Sequence, residues 1–161
     1  MARVLVTRAM PEAEETASQL RALGHEVLIA PLRSVEGVAT PFPVQRPDAV
    51  IATSRNAMGH GVPIPAEWRA LPIFCVGEKT AEAARAAGFS HAEAAEGDAV
   101  ALQAVIAKAY PSGSRLAYLA GEPRGPELEV AIRAGGFALD TLLRYRMRDL
   151  EGFPEPARAA L

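Results

Sequence analysis

The chain has 161 residues, half of them hydrophobic and 22% charged, with a formal net charge of −2; that suffices for one good core but not for two complete domains. The near balance of charge, without any block of five like charges, excludes a chain-wide field for nucleic acid, so a basic site must be local. Cys75 is the sole cysteine, no apolar run is long enough to cross a bilayer and the first residues go straight into a strand, so the expectations are no disulfide, no membrane partner and a cytoplasmic location.

Arg3-Val4-Leu5-Val6-Thr7-Arg8 reads as a strand. The helix that follows opens with Pro11, suited to a first turn, and closes at Leu23 before Gly24, leading to a second strand, Glu26-Val27-Leu28-Ile29. Residues 31–37 and the prolines at 41, 43 and 47 read as a crossover between lobes. From Asp48 the pattern is regular. A strand runs to Thr53, a helix starts at Ser54-Arg55-Asn56, and a glycine-proline loop leads past Trp68, a packing anchor, to the strand Ile73 to Val76. A helix over Glu78 to Ala87, a short strand over Phe89 to Ala92 and a helix from Val100 to Tyr110, N-capped by Asp98, come next. Arg115 to Ala120 is a strand. Pro126 opens a helix closed by Gly135-Gly136, and a long strand runs from Phe137 to about Met147. Strict alternation in that last strand puts Arg144, Arg146 and Arg148 on one face and Leu143, Tyr145 and Met147 on the other. A helix is expected to begin at Ala157.

Apolar strands alternating with helices imply a parallel α/β sheet. At its carboxyl edge the unpaired N–H groups of several helix starts gather, which suits an anionic ligand. Residues 37–143 hold the strands and helices of a complete flavodoxin-like lobe. Residues 1–36 supply only the first β-α-β of another lobe, and residues 144–161 form the return crossover and the start of its remaining part. The fold expected is thus one flavodoxin-like parallel lobe plus an incomplete second α/β lobe, joined by two crossovers, with open strand edges on the incomplete one. His25, His60 and His91 have no metal-ligand spacing, so no metal is expected, and Gly121 to Gly125 lacks the lysine and serine or threonine of a P-loop.

Several segments in order resemble uroporphyrinogen-III synthases: Val4-Leu5-Val6-Thr7-Arg8, Ala22-Leu23-Gly24-His25-Glu26-Val27, Ala52-Thr53-Ser54-Arg55-Asn56-Ala57, Val76-Gly77-Glu78-Lys79-Thr80-Ala81, Leu119-Ala120-Gly121-Glu122-Pro123-Arg124-Gly125 and Tyr145-Arg146. The resemblance implies a cofactorless lyase of heme biosynthesis. Its substrate is hydroxymethylbilane, a linear tetrapyrrole polycarboxylate, which it cyclises with inversion of ring D through a spiro intermediate. It also implies hydroxymethylbilane synthase as the upstream partner. Family members continue into a further serine-rich strand-to-helix turn, so this chain is expected to be a truncated or cleaved form, or a degenerate, non-catalytic module binding an anion or a partner on the same fold.

On that resemblance Tyr145 is the catalytic acid for the departing hydroxyl. Thr7, Arg8, Thr53, Ser54, Asn56, Gly77, Lys79, Thr80, Gly121, Arg124 and Arg146 are the substrate-binding set. The turns carry a second reading as ordinary N-caps, Tyr145 a second reading as packing, and Arg148 is read as solvated.

Overall fold

The computed structural model describes residues 1–95 and 98–159. The chain divides into two compact units, Met1–Glu36 with Met147–Leu161, and Gly37–Arg146. In the first, β1 (Arg3–Val6) leads through α1 (Glu12–Ala22) to β2 (Glu26–Ile29). α1 turns its small residues Ala13 and Ala17 inward, both fully buried, and β1 and β2 pair in parallel from Arg3 opposite Glu26 to Val6 opposite Ile29. The chain then forms β3 (Arg33–Gly37), a strand where an irregular crossover was expected.

The second unit is built on β4 (Ala49–Ala52), α2 (Asn56–Gly59), α3 (Ala66–Arg69), β5 (Pro72–Val76), α4 (Glu78–Ala86), β6 (His91–Ala95), α5 (Ala99–Ala109), β7 (Arg115–Glu122), α6 (Glu127–Ala134) and, up to Arg146, β8 (Ala138–Asp149). The chain ends in the first unit with α7 (Glu155–Arg158), which packs on β2. That helix starts before the expected Ala157, and Ala160 and Leu161 lie outside the described residues.

Among the described residues, the larger sheet runs β3-β8-β7-β4-β5-β6. β4, β5, β6, β7 and β8 are parallel to one another. Counted within the unit, these five strands lie in the order 5-4-1-2-3, read from the other edge as 3-2-1-4-5. This order is doubly wound, as is the 2-1-3-4-5 order of flavodoxin itself. β3 finds its partner in β8 and runs against it. Leu150 N–H donates to Leu32 C=O and Val38 N–H to Arg144 C=O, each at 2.9 Å. Arg33 pairs with Asp149 and Arg148 with Glu36, both at 2.7 Å. That pairing explains why a proline-flanked segment of modest hydrophobicity becomes a strand.

β4 is buried along its whole length, as a central parallel strand covered on both faces must be. Its side chains alternate between two cores. Val50 and Ala52 join Ile73, Cys75, Leu119 and Leu142 under α2, α3 and α4, with Trp68 edge-on to Phe42 at 4.8 Å. Ala49 and Ile51 join Phe74, Leu116, Tyr118 and Ala120 under α5 and α6. Asp98 caps α5 as expected, its carboxylate accepting from Val100 and Ala101 N–H at 3.0 Å. The strand expected over Phe89 to Ala92 is instead β6. Phe89 N–H still closes the end of α4 on Ala84 C=O, and Gly88 turns the chain at φ +97°, so pairing with β5 starts only at His91.

Ile132 of α6 is fully buried and Val130 on the same helix is 62% exposed. Ile132→Ala is expected to cost about 2–5 kcal/mol and Val130→Ala less than about 0.5 kcal/mol, measured by urea unfolding. Equal losses would contradict the placement of α6.

Candidate functional site

The chain leaves β4 into α2, on the face with Ala57 and Trp68, and leaves β7 into α6, on the opposite face with Leu128 and Ile132. β4 and β7 are neighbours, so their connections diverge and open a crevice at their carboxyl ends. In open α/β sheets that is where ligands bind. Thr53 and Ser54 leave one side of it and residues 121–124 the other.

The predicted residues of this unit gather along that edge, in several roles. Thr53 Oγ1 shares a 2.9 Å hydrogen bond with the hydroxyl of Tyr118. Burial pushes the Tyr118 phenol above its ordinary value, which the Thr53 bond and the nearby Arg124 charge partly offset. The phenol therefore stays protonated at neutral pH. Ser54 Oγ accepts from Asn56 N–H at 3.3 Å, so its hydroxyl acts as a local cap. Asn56 is half-buried at the start of α2. One strand over, Gly77 takes φ +78° to turn from β5 into α4, and its N–H is spent on Ala95 C=O. Lys79 is exposed in the first turn of α4, whose early N–H groups the helix itself cannot pair. Thr80 is buried, 6% exposed. Thr7 and Arg8 lie in the other unit at the end of β1, with Arg8 Nη1 donating to Thr16 Oγ1 at 3.2 Å.

Tyr145 stands where strict alternation does not put it. β7 and β8 pair residue for residue from Arg115 opposite Ala138 to Ala120 opposite Leu143, but Gly121 faces Tyr145. Arg144 is the extra residue of a β-bulge. The bulge resets the alternation, so Tyr145 joins Leu142 on the α2–α4 face, half-buried against that core. Its ring lies directly over Gly121, where any Cβ would overlap it, and its centroid is 6.5 Å from that of His60.

The same bulge overturns the expected arginine face. Arg144 is 1% exposed. Its Nε donates to Ala57 C=O at 3.1 Å and its Nη1 to Val62 C=O, while its guanidinium carbon lies over the Phe42 ring, 5.2 Å from its centre. Burial holds its pKa below the usual arginine value. Arg146 and Arg148 do point to solvent, Arg146 pairing with Glu122 at 2.9 Å.

Beyond β7 the charges form a ladder. Arg146 pairs with Glu122, Arg124 with Glu122 at 3.8 Å and with Glu129 at 3.0 Å, and Arg133 with Glu129 at 3.2 Å. Residues 122–126 and Glu129, Val130 and Arg133 line an open cleft of about 400 Å³. Burial raises the Glu129 carboxyl, but hydrogen bonds from Arg124 and Arg133 outweigh it and hold the group below its ordinary value. Thr141 adds to that lowering, although its buried hydroxyl makes no hydrogen bond of ordinary length to the described residues. Burial also raises the Cys75 thiol to about 12, the state of an inert core residue. Among the described residues, no three His, Cys, Asp or Glu side chains gather as a metal ligand set, and no helix is long and apolar enough to cross a membrane.

Sequence reasoning missed Tyr118, Glu129 and the burial of Arg144. Tyr118 sits within the apolar run of residues 116–120 and Glu129 on a charged helix face, so neither carries a local signal.

A family profile described as uroporphyrinogen-III synthase HemD matches residues 14–161. Solved structures of similar fold include a uroporphyrinogen-III synthetase from Helicobacter pylori, with a TM-score of 0.64 at 17% identity, covering 99% of this chain and 66% of that one. A mutant uroporphyrinogen III synthase from Thermus thermophilus has a TM-score of 0.60 at 20% identity, covering 93% of this chain and 64% of that one. The chain thus spans slightly under two thirds of the length of either. No curated protein matches.

Two outcomes follow from this geometry. Gly121→Ala is expected to displace the Tyr145 ring at a cost of about 1–3 kcal/mol, and less in a Tyr145→Ala background; urea unfolding showing equal losses in both backgrounds would contradict the contact. The Glu129 carboxyl has a folded value below the ordinary 4.5, so its stabilisation is present at neutral pH and is lost as the pH falls below 4.5 through the folded value. Glu129→Gln should flatten the fall of stability in that acid range, and an unchanged slope would contradict the ladder.

Proposed function

The chain belongs to the uroporphyrinogen-III synthase family, lyases of heme biosynthesis, and we propose that it carries out the family's reaction. It takes hydroxymethylbilane to uroporphyrinogen III with net loss of one water and inversion of ring D. The observation that supports this reading most is the Tyr145 phenol held over Gly121 at the carboxyl edge of a parallel sheet. Helix starts and arginines that suit a polycarboxylate flank it.

Tyr145 gives its proton to the terminal hydroxyl of the substrate as the C–O bond breaks, and water departs. The azafulvene left behind closes at the substituted carbon of ring D to a spiro intermediate, which reopens and recloses with that ring inverted. A proton lost from the ring system returns to the tyrosinate. The substrate closes to the wrong isomer unaided, so the remaining residues act mainly by holding one conformation.

Arg124 and Arg146 exchange Glu129 and Glu122 for propionates in forked pairs. Ser54, Asn56, Gly77, Lys79 and Thr80 line the helix-start turns that receive further carboxylates. Thr53, oriented by Tyr118, offers its hydroxyl beside them, and Gly121 makes room for the Tyr145 ring. Thr7 and Arg8 are the corresponding donors of the unit that holds β1, which we read, with residues 147–161, as part of a second lobe. Hydroxymethylbilane synthase supplies the substrate.

The test is cyclisation of freshly generated hydroxymethylbilane, with the oxidised type I and type III uroporphyrins separated by chromatography. Type III above the no-enzyme level is expected, and Tyr145→Phe should lower kcat about 10²-fold or more with little change in KM. Type I alone from the unsubstituted chain would overturn the catalytic reading, and would leave a module that binds the polycarboxylate without turnover.

A further inference from the structure

The largest fully buried side chain among the described residues is a cation, Arg144. No carboxylate among them pairs with it; its partners are two backbone carbonyls, that of Ala57 in α2 and that of Val62 in the loop after it, and the Phe42 ring. Well-packed hydrophobic side chains usually serve stability as well as a buried charge does, so stability alone does not account for an arginine here. Geometry does. The guanidinium is flat and forked, and reaches both carbonyls while its central carbon sits over an aromatic ring, which a lysine ammonium cannot do.

The two things it ties together both belong to the carboxyl edge. One is the bulge of β8, whose next residue is Tyr145. The other is the segment from Ala57 to Val62, which carries His60 beside the Tyr145 ring. Backbone packing supports the same junction. Gly61, at φ +77°, lies so close that a Cβ would meet the carbonyls of Val38 and Arg144 at 2.7 and 2.8 Å, and Val38 N–H donates to that same Arg144 carbonyl.

We propose that Arg144 is a positioning residue: its buried guanidinium locks the segment from Ala57 to Val62, the end of α2 and the loop after it, onto the β8 bulge and so fixes the Tyr145 ring over Gly121 with His60 at its side. Only the kinetic consequence rests on the catalytic reading of Tyr145; the positioning stands or falls by itself.

The chain has three tyrosines, at 110, 118 and 145, so 3-fluorotyrosine labelling gives three ¹⁹F resonances, assignable by single Tyr→Phe variants. In Arg144→Met the Tyr145 resonance is expected to shift and broaden while those of Tyr110 and Tyr118 stay in place. Hydrogen exchange should rise about tenfold or more across residues 57–62, the scale of a local opening, without change in β5 and β6. Arg144→Lys should fall between, and carries the same comparison if Arg144→Met does not fold. No change at Tyr145, or an equal change at all three tyrosines with protection lost throughout Gly37–Arg146, would overturn the proposal. In the cyclisation assay Arg144→Met should lower kcat about 10–100-fold, as a misplaced catalytic group does, with KM within about twofold; a raised KM at unchanged kcat would also overturn it. If the unsubstituted chain does not cyclise the substrate, the catalytic reading fails, and the fluorine and exchange measurements still decide the role of Arg144.

Discussion

Opposite Ala120 and Gly121, β8 carries one residue more than β7, so Leu143 and Tyr145 face the partner strand and Arg144 between them faces nothing across the ladder. The arrangement of the carboxyl edge depends on that insertion. Without it Tyr145 falls on the other side of the sheet, and Gly121 has no ring to accommodate. With it the arginine turns inward, the tyrosine lies over the one residue of β7 that lacks a Cβ, and α2 and the loop after it are each drawn onto the strand by a charge-assisted hydrogen bond. Bulges next to sites commonly re-aim a side chain in this way.

The insertion takes effect within a sheet whose order already places a crevice beside it. Because β4 and β7 are neighbours and their helices leave to opposite faces, Thr53, Tyr118 and Arg124 converge at the switch point. The arginines there are satisfied by Glu122 and Glu129: Arg146 and Glu122 form an exposed pair worth about 0–1 kcal/mol, and Arg124 and Glu129 a more buried one. A surface pair so weak keeps Arg146 oriented and costs little to break. The buried Arg144 cannot trade partners in that manner, which separates a holding role from a binding one.

Much of this was legible in the chain. Continuous apolar runs such as residues 49–52 and 116–120 are what buried parallel strands require, and the caps at Asp98, Gly24, Gly88 and Gly136 mark helix ends by local chemistry. The grouping of Thr53, Ser54, Asn56, Gly77 and Lys79 at one edge follows from each standing just after a strand. Three things were not legible. Strand order depends on long-range pairing that leaves no trace in local pattern. β3 forms because β8 is there to receive it, and its own residues do not demand a strand. The alternation of Arg144, Arg146 and Arg148 reads as one strand face, yet a single inserted residue breaks the period of two and sends Arg144 into the core and Tyr145 to the opposite face from the one counted.

The central claim is that the carboxyl edge around Tyr145 is an anion site for a tetrapyrrole polycarboxylate. Titration of uroporphyrin III, the oxidised product, into ¹⁵N-labelled protein tests it most directly. Saturable shifts are expected at the amides of residues 54–56, 78–79, 124–125 and 145–146, the helix starts and the strand end that line the edge. No saturable shift, or shifts confined to the opposite, amino-terminal ends of the same strands, would contradict the account.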